Sequence, residues 1–257
     1  MTNTYGIQQT LVLFAVAVIC SSTPCEAQRL SPVGEVASSD RNATFTVQYP
    51  RPLESVAYTF KYKYGALITF EEAPLEHASD FIDPNKGKVN EGRAYLPRGG
   101  TLQFSFYLSE DLRGPNNLKN TIETAIEAYH NAGHPGQYSL QKEGEYLHIV
   151  PLARKNTVGV VEPVTSPLDS IITIKGDSAH PHLVLRDLTA SITKSSGYNV
   201  YISHSPFLRG NERPVSRDFE NVSARAVLRE LLVRTGRNAT WLMMFDVKSR
   251  SYYLSIQ

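Results

Sequence analysis

The run RDFENVSARAVLRELLVRTGRNATWLMMFDVKSRSYYLSIQ, residues 217–257, packs three structural signals into one short stretch. Val215–Glu220 reads as the end of a strand leading into Ser223. The Ser223 hydroxyl suits a helix N-cap, where it accepts from a first-turn N–H. Val227, Leu228, Leu231 and Leu232 recur at helical spacing and form a stripe that must be buried. Gly236 stands where a left-handed C-cap belongs. Thr240–Phe245 and Ser251–Ile256 alternate on either side of DVKSR, the pattern of a closing hairpin. One amphipathic helix against a few short strands is a small α+β unit.

The same grammar recurs towards the N-terminus. Ser170–Lys175 reads as a strand, Leu183, Leu185, Leu188 and Ile192 as a helix stripe stopped at Gly197, and YNVYIS as a second strand. Thr101–Leu108 alternates as a strand. Asn116 or Asn117 caps a helix carrying Leu118, Ile122, Ala125, Ile126 and Tyr129, and Gln137–Gln141 and Tyr146–Pro151 flank a KEGE turn. Phe45–Pro50, then Leu53, Val56, Ala57, Phe60 and Tyr64 ending at Gly65, then ALITFEEAP, make another β-α-β unit. Two halves emerge, each running β-α-β and then β-α-β-β. The fold class expected is α+β, with two tandem small βαβ/βαββ modules and both helices of each on one face of a short mixed sheet. The first module spans 44–152 with an inserted loop at 76–100, and the second spans 169–257. Residues 28–43 and 153–168 read as linkers.

This arrangement resembles the short N-terminal (STN-like) domain of bacterial secretins and TonB-dependent receptors. Residues 217–257 carry the resemblance best, with Ser170–Ser203 matching the same family's first unit. FTVQYPRPLESVAYTFKYKYG and TIETAIEAYHNAG follow the pattern more loosely. No ring-forming or barrel segment is expected to follow the module. The resemblance therefore implies protein binding in the periplasm, often through sheet edges, and not pore formation or transport. It supplies no catalytic residue.

Composition and the N-terminus bound the remaining classes. Of 257 residues, 41% are hydrophobic and 20% charged, enough to build real cores. A formal charge of +1 argues against nucleic acid as a partner. Thr10–Cys20 is an apolar run too short to span a bilayer and of the length of a secretory h-region. Small residues precede a cut after Ala27, so residues 1–27 are expected to be a cleaved signal peptide and the chain to be exported, periplasmic or secreted. The n-region lacks Lys and Arg, a departure from the usual signal. Cys20 and Cys25, the only cysteines, leave with that segment, and no transmembrane span is expected in what remains. Asn42, Asn221 and Asn238 begin Asn-X-Ser/Thr triplets, read as turn chemistry rather than glycan acceptors.

His180-Pro181-His182 and the pair His130 and His134 lack the further ligands and regular spacing of a metal site. Glu71, Glu72, Glu76, Asp80 and Asp83, with His77 among them, bracket one loop. They read as a solvated acidic loop rather than an acid/base pair, since such pairs come from separate elements of a cleft. Phe60 and Tyr64 read as core with Lys61 and Lys63 turned to water. Tyr252 and Tyr253 straddle a strand, so one of them is expected at the surface as a contact residue. No catalytic, cofactor-binding or metal-binding residue is assigned, and no cofactor is expected. The function expected is a non-catalytic exported envelope protein that binds another protein, of the secretion or outer-membrane assembly adaptor type. Glycan or peptidoglycan binding is the alternative, and a secreted hydrolase using the acidic loop comes third.

Overall fold

A computed structural model describes residues 33–257, apart from 40–41, 89–91, 93, 108–114, 207–212 and 235–237. The expected signal peptide, both cysteines and Gly236 lie outside the described residues. Ser31–Gln257 forms one compact unit. It carries β1 (Glu35–Ser39), β2 (Asn42–Tyr49), α1 (Pro52–Tyr64), β3 (Ile68–Glu71), β4 (Phe81–Ile82), β5 (Leu96–Pro97), β6 (Gly100–Tyr107), α2 (Pro115–Asn131), β7 (Gln137–Glu143) and β8 (Tyr146–Lys155). There follow β9 (Val161–Pro163), a 3-10 turn at Pro167–Asp169, β10 (Ile171–Ile174), α3 (Pro181–Ser196), β11 (Asn199–His204), β12 (Phe219–Ser223), α4 (Ala224–Arg234), β13 (Trp241–Asp246) and β14 (Ser251–Ile256). The class is α+β. No described helix is long and apolar enough to cross a membrane.

Both halves use their elements alike. The strands that open each βα step pair antiparallel with one another, β2 with β6 and β10 with β12. The later strands form matching triplets. In one, β3 is parallel to β8 and β8 antiparallel to β7; in the other, β11 is parallel to β14 and β14 antiparallel to β13. Helix signals repeat too. Gly65 and Gly197 both end their helices at positive φ, 68° and 76°, where a side chain would be strained. Ser223 Oγ accepts from Ala226 N at 3.2 Å, the expected cap of α4.

The two triplets are one sheet. β13 pairs in parallel with β3, Leu242 opposite Phe70 and Met243 opposite Glu71, giving the order β11-β14-β13-β3-β8-β7, with β9 added to β8. The two faces carry different cores. Ile68, Phe70, Leu147, Ile149 and Leu242 pack with α1, α2 and the β2–β6 sheet. Tyr146, Trp241, Met243, Phe245, Tyr252 and Leu254 pack with α3, α4 and the β10–β12 pair. Phe45 stacks on Phe104 at 5.2 Å, and Phe60 meets Phe106 at 5.3 Å, fixing the outer sheet on α1.

Two expectations about boundaries are corrected. Residues 153–168 are no linker: they hold the end of β8, β9 and the 3-10 turn, whose Ser166 and Asp169 form a reciprocal capping box. The polar composition misleads because β9 is a short edge strand, exposed along most of its length. Residues 28–43 are likewise not all linker, since β1 pairs with β2 and Gly34 N donates to Thr59 Oγ1 at 2.8 Å. Among its described residues, the 76–100 insertion holds the two-residue pair β4–β5 before β6 begins at Gly100.

Charged side chains lock the junction between the halves. Glu71 ends β3 and Glu72 follows it, and their side chains go to opposite faces. Arg225 from α4 grips Glu71 bidentately at 2.9 and 2.7 Å, and Trp241 Nε1 donates to the same carboxylate at 3.3 Å. Arg225 also reaches Asp169 and Gln141. On the other side, Arg51 donates to Glu72 and to the Phe245 carbonyl, Glu72 accepts from Phe245 N at 2.7 Å, and Glu72 N donates to Met243 O at 2.8 Å. Removing one partner of a buried ion pair leaves a bare charge and costs about 3–5 kcal/mol, whereas an apolar replacement of both costs far less. Arg225→Ala should therefore lose about 3–5 kcal/mol of stability in thermal or denaturant unfolding. The double change Glu71→Leu with Arg225→Met should recover at least half of that loss. Equal losses in the single and double variants would show that charge pairing is not what Arg225 supplies.

Candidate interaction surfaces

The residues marked in the sequence for chemistry are mostly occupied. Glu71 and Glu72 are the buried junction clamps. Glu76 is paired with Arg154 at 2.9 Å and Arg250 at 2.6 Å, and Asp80 with Lys155 at 3.3 Å. Asp83 accepts from Asn85 N and Ala94 N, and His77 Nδ1 lies 2.7 Å from Ser79 Oγ. The solvated acidic loop is thus corrected: its first carboxylates are buried, and each is held by a base that the chain brings from elsewhere. Tertiary pairing is invisible to a local reading of ALITFEEAP.

Burial raises the Glu72 carboxyl despite Arg51 and the Phe245 N–H. Burial works against the charge of Arg225, but Glu71 and Asp169 outweigh it and raise its pKa. His148 is fully buried beneath Trp241, ring centroids 5.2 Å apart, with Nδ1 2.8 Å from Thr69 Oγ1. Burial and the nearby Arg225 and Arg229 push its pKa down to about 3, so the ring is neutral.

The other histidines serve turns and ends. His130 Nε2 accepts from Tyr138 N at 3.0 Å, His134 Nε2 lies 3.3 Å from Thr101 O, and the rings of His180 and His182 stack at 5.9 Å. Among the described residues, no group of three or more His, Cys, Asp or Glu could hold a metal. Phe60 is buried and Tyr64 half-buried, as expected; Lys63 is exposed and Lys61 only half-buried, with its pKa lowered by burial to about 8. Tyr252 is buried. Tyr253 is half-buried beside Tyr201, 5.8 Å between centroids, and Tyr201 is 49% exposed. Asn42, Asn221 and Asn238 are exposed.

What stands open is the sheet itself. Among the described strands, β7 pairs only with β8 and β11 only with β14. Tyr138 faces Pro151, which has no N–H, so the ladder bonds of β7 fall on Ser139, Gln141 and Glu143. The backbone groups of Tyr138, Leu140 and Lys142 therefore point to the free edge, and His130 takes only the N–H of Tyr138. A cleft of about 420 Å³ flanks the β7–β8 turn, lined by Tyr64, Leu67, Lys142, Glu145 and Asn238. A second of about 250 Å³ flanks the start of β7, lined by His130, His134, Gln137, Arg154 and Val161. Among the described residues, Glu145 is the one carboxylate lining either cleft. Sequence reasoning missed the Arg51 and Arg225 clamps, and it expected exposed sheet edges without saying that β7 and β11 would form them. Two adjacent acids inside an apolar strand were the signal available for the clamps.

No protein-family model, curated protein or solved structure matches this chain.

Glu54 gives a direct test of the electrostatics. It is buried on α1 near Arg51 and Glu72, and burial lifts its pKa from 4.5 to about 7, with Arg51 opposing and Glu72 adding. Between pH 4.5 and 7 the folded carboxyl keeps a proton that the unfolded chain releases, so its contribution to stability falls as pH rises and is fully lost above 7. Glu54→Gln should abolish that fall. Relative to wild type, the variant should gain up to about 3 kcal/mol between pH 4 and pH 8 in parallel urea titrations. A difference that does not change with pH would refute the raised pKa.

Proposed function

We propose that this chain is a non-catalytic exported envelope protein that binds another protein through its α+β sheet, in the manner of a secretion or outer-membrane assembly adaptor. The observation that carries the reading is the pair of sheet edges at β7 and β11, which no described strand fills, each offering backbone donors and acceptors for strand addition. The β-α-β, β-α-β-β order of each half and the paired-leucine helix α4 support the resemblance to the short N-terminal domain of secretins and TonB-dependent receptors. The apolar run Thr10–Cys20 and the Ala27 cut support export. The second reading, a glycan or peptidoglycan binder, is supported by the surface pair Tyr201 and Tyr253, since aromatic faces can hold sugar rings.

The test is capture from solubilised envelope with tagged chain from Gln28 onward as bait. Bait should retain a dominant protein partner in high salt, and Lys142→Pro or Tyr201→Glu should cut that partner at least tenfold. Pro suits the test because the Lys142 N–H faces the free edge, so no ladder bond within the chain is lost. A bait that retains no protein, or one indifferent to both changes, would refute the reading. Retention of peptidoglycan fragments instead, lost with Tyr201→Glu, would favour the second.

A further inference from the structure

We propose that the two open edges fit each other, so that copies of this chain join β7 to β11 in parallel and build one continuous sheet. The proposal deepens the edge-pairing reading above by naming a second copy as occupant.

The chain already contains this joint once. Residue by residue, the triplet β3-β8-β7 matches β11-β14-β13. Thr69 lies opposite His148 as Tyr201 lies opposite Tyr253, and Leu140 lies opposite Ile149 as Met243 lies opposite Leu254. β7 is thus the counterpart of β13, and β11 the counterpart of β3. Within the chain, β13 and β3 are bonded. The same surfaces at the two ends of the sheet, β7 and β11, are the ones without a partner strand.

The geometry of the internal joint says what repetition would build. β3 runs parallel to β13, and β13 antiparallel to β14 and β11, so the two triplets run in opposite directions and carry their helices on opposite faces. A half-turn about an axis crossing the strands, with a step along it, relates them. The same step taken again restores direction and face, so successive copies differ by translation along the sheet, with its twist. This is a head-to-tail contact that need not close. The rise is about 29 Å per copy, from six strands at the usual spacing.

A second observation points the same way. At the internal joint, Thr69 and His148 are fully buried, and α4 brings Arg225 beside them, gripping the adjacent Glu71. Their counterparts, Tyr201 and Tyr253, remain at the surface, with Tyr201 49% exposed. Tyr201 of this aromatic pair stands uncovered at the position where the repeat covers its own. Carrying over the internal register places Ser139 beside Ile202 of a second copy, and Leu140 beside Ser203.

The test uses the chain from Gln28, which contains the whole compact unit and no cysteine. Ser139 and Ile202 belong to strands at opposite ends of one sheet and cannot meet within a chain. The double variant Ser139→Cys, Ile202→Cys treated with a short bis-maleimide should give a ladder of multimers on a denaturing gel, and each single variant should stay monomeric. Wild type should sediment faster as concentration rises. Lys142→Pro, its fold checked by circular dichroism, should abolish that rise, and the same change in the double-cysteine chain should reduce the ladder at least tenfold. A monomer at every concentration with no ladder overturns the proposal, as do cross-linked dimers from a single-cysteine variant, which would mark a two-fold pairing. A wild-type chain that does not self-assemble, together with an envelope partner that Lys142→Pro removes, would sink self-pairing and leave the adaptor reading standing.

Discussion

Two consecutive carboxylates, the last residue of a buried strand and the one after it, impose the constraint on which this fold rests. Side chains alternate across a strand, so Glu71 and Glu72 enter opposite faces of the sheet, and neither can stay charged in an apolar layer without a partner. Arg225 comes from the second half to meet one, and Arg51 from the first half to meet the other. Arg51 also donates to the C=O of Phe245 and Glu72 accepts from its N–H, so the end of β13 is tied to β3 through side chains where the backbone ladder stops. The same residues neutralise the charge and splice the two repeats into one sheet.

Splicing by a head-to-tail joint has a geometric consequence. A two-fold contact would consume identical edges and close. A joint between unlike edges leaves one of each kind at the ends, here β7 and β11. The chain therefore ends, at either side of its sheet, in the complementary halves of a contact it has made internally. The exposed Tyr201 lies on one of these edges, β11.

The repeat was legible in the sequence because its signals are local. Gly65 and Gly197 end helices, Ser223 caps one, and stripes such as Leu228, Leu231 and Leu232 mark buried faces. The α+β class follows from those signals alone. The single sheet was not legible, because no local pattern says that β3 will lie beside a strand about 170 residues away. Its trace was ITFE, a strand buried at all four positions, which a sheet with one open face would not require. The acidic loop misled for the same reason: charges near in sequence suggest solvent until Arg225 and Arg154 are placed beside them. The surfaces were legible only as a class, since edges are defined by what fails to pair.

The most direct measurement of the joined sheet is equilibrium urea unfolding followed by two signals at once. Trp241, the single tryptophan, sits in β13 at the junction, while far-ultraviolet circular dichroism reports the helices and strands of both halves. One cooperative unit requires the two signals to trace one coincident transition. Two separated transitions, with Trp241 following only one of them, would show that the halves are independent modules and that the β13–β3 joint does not bind them into one fold.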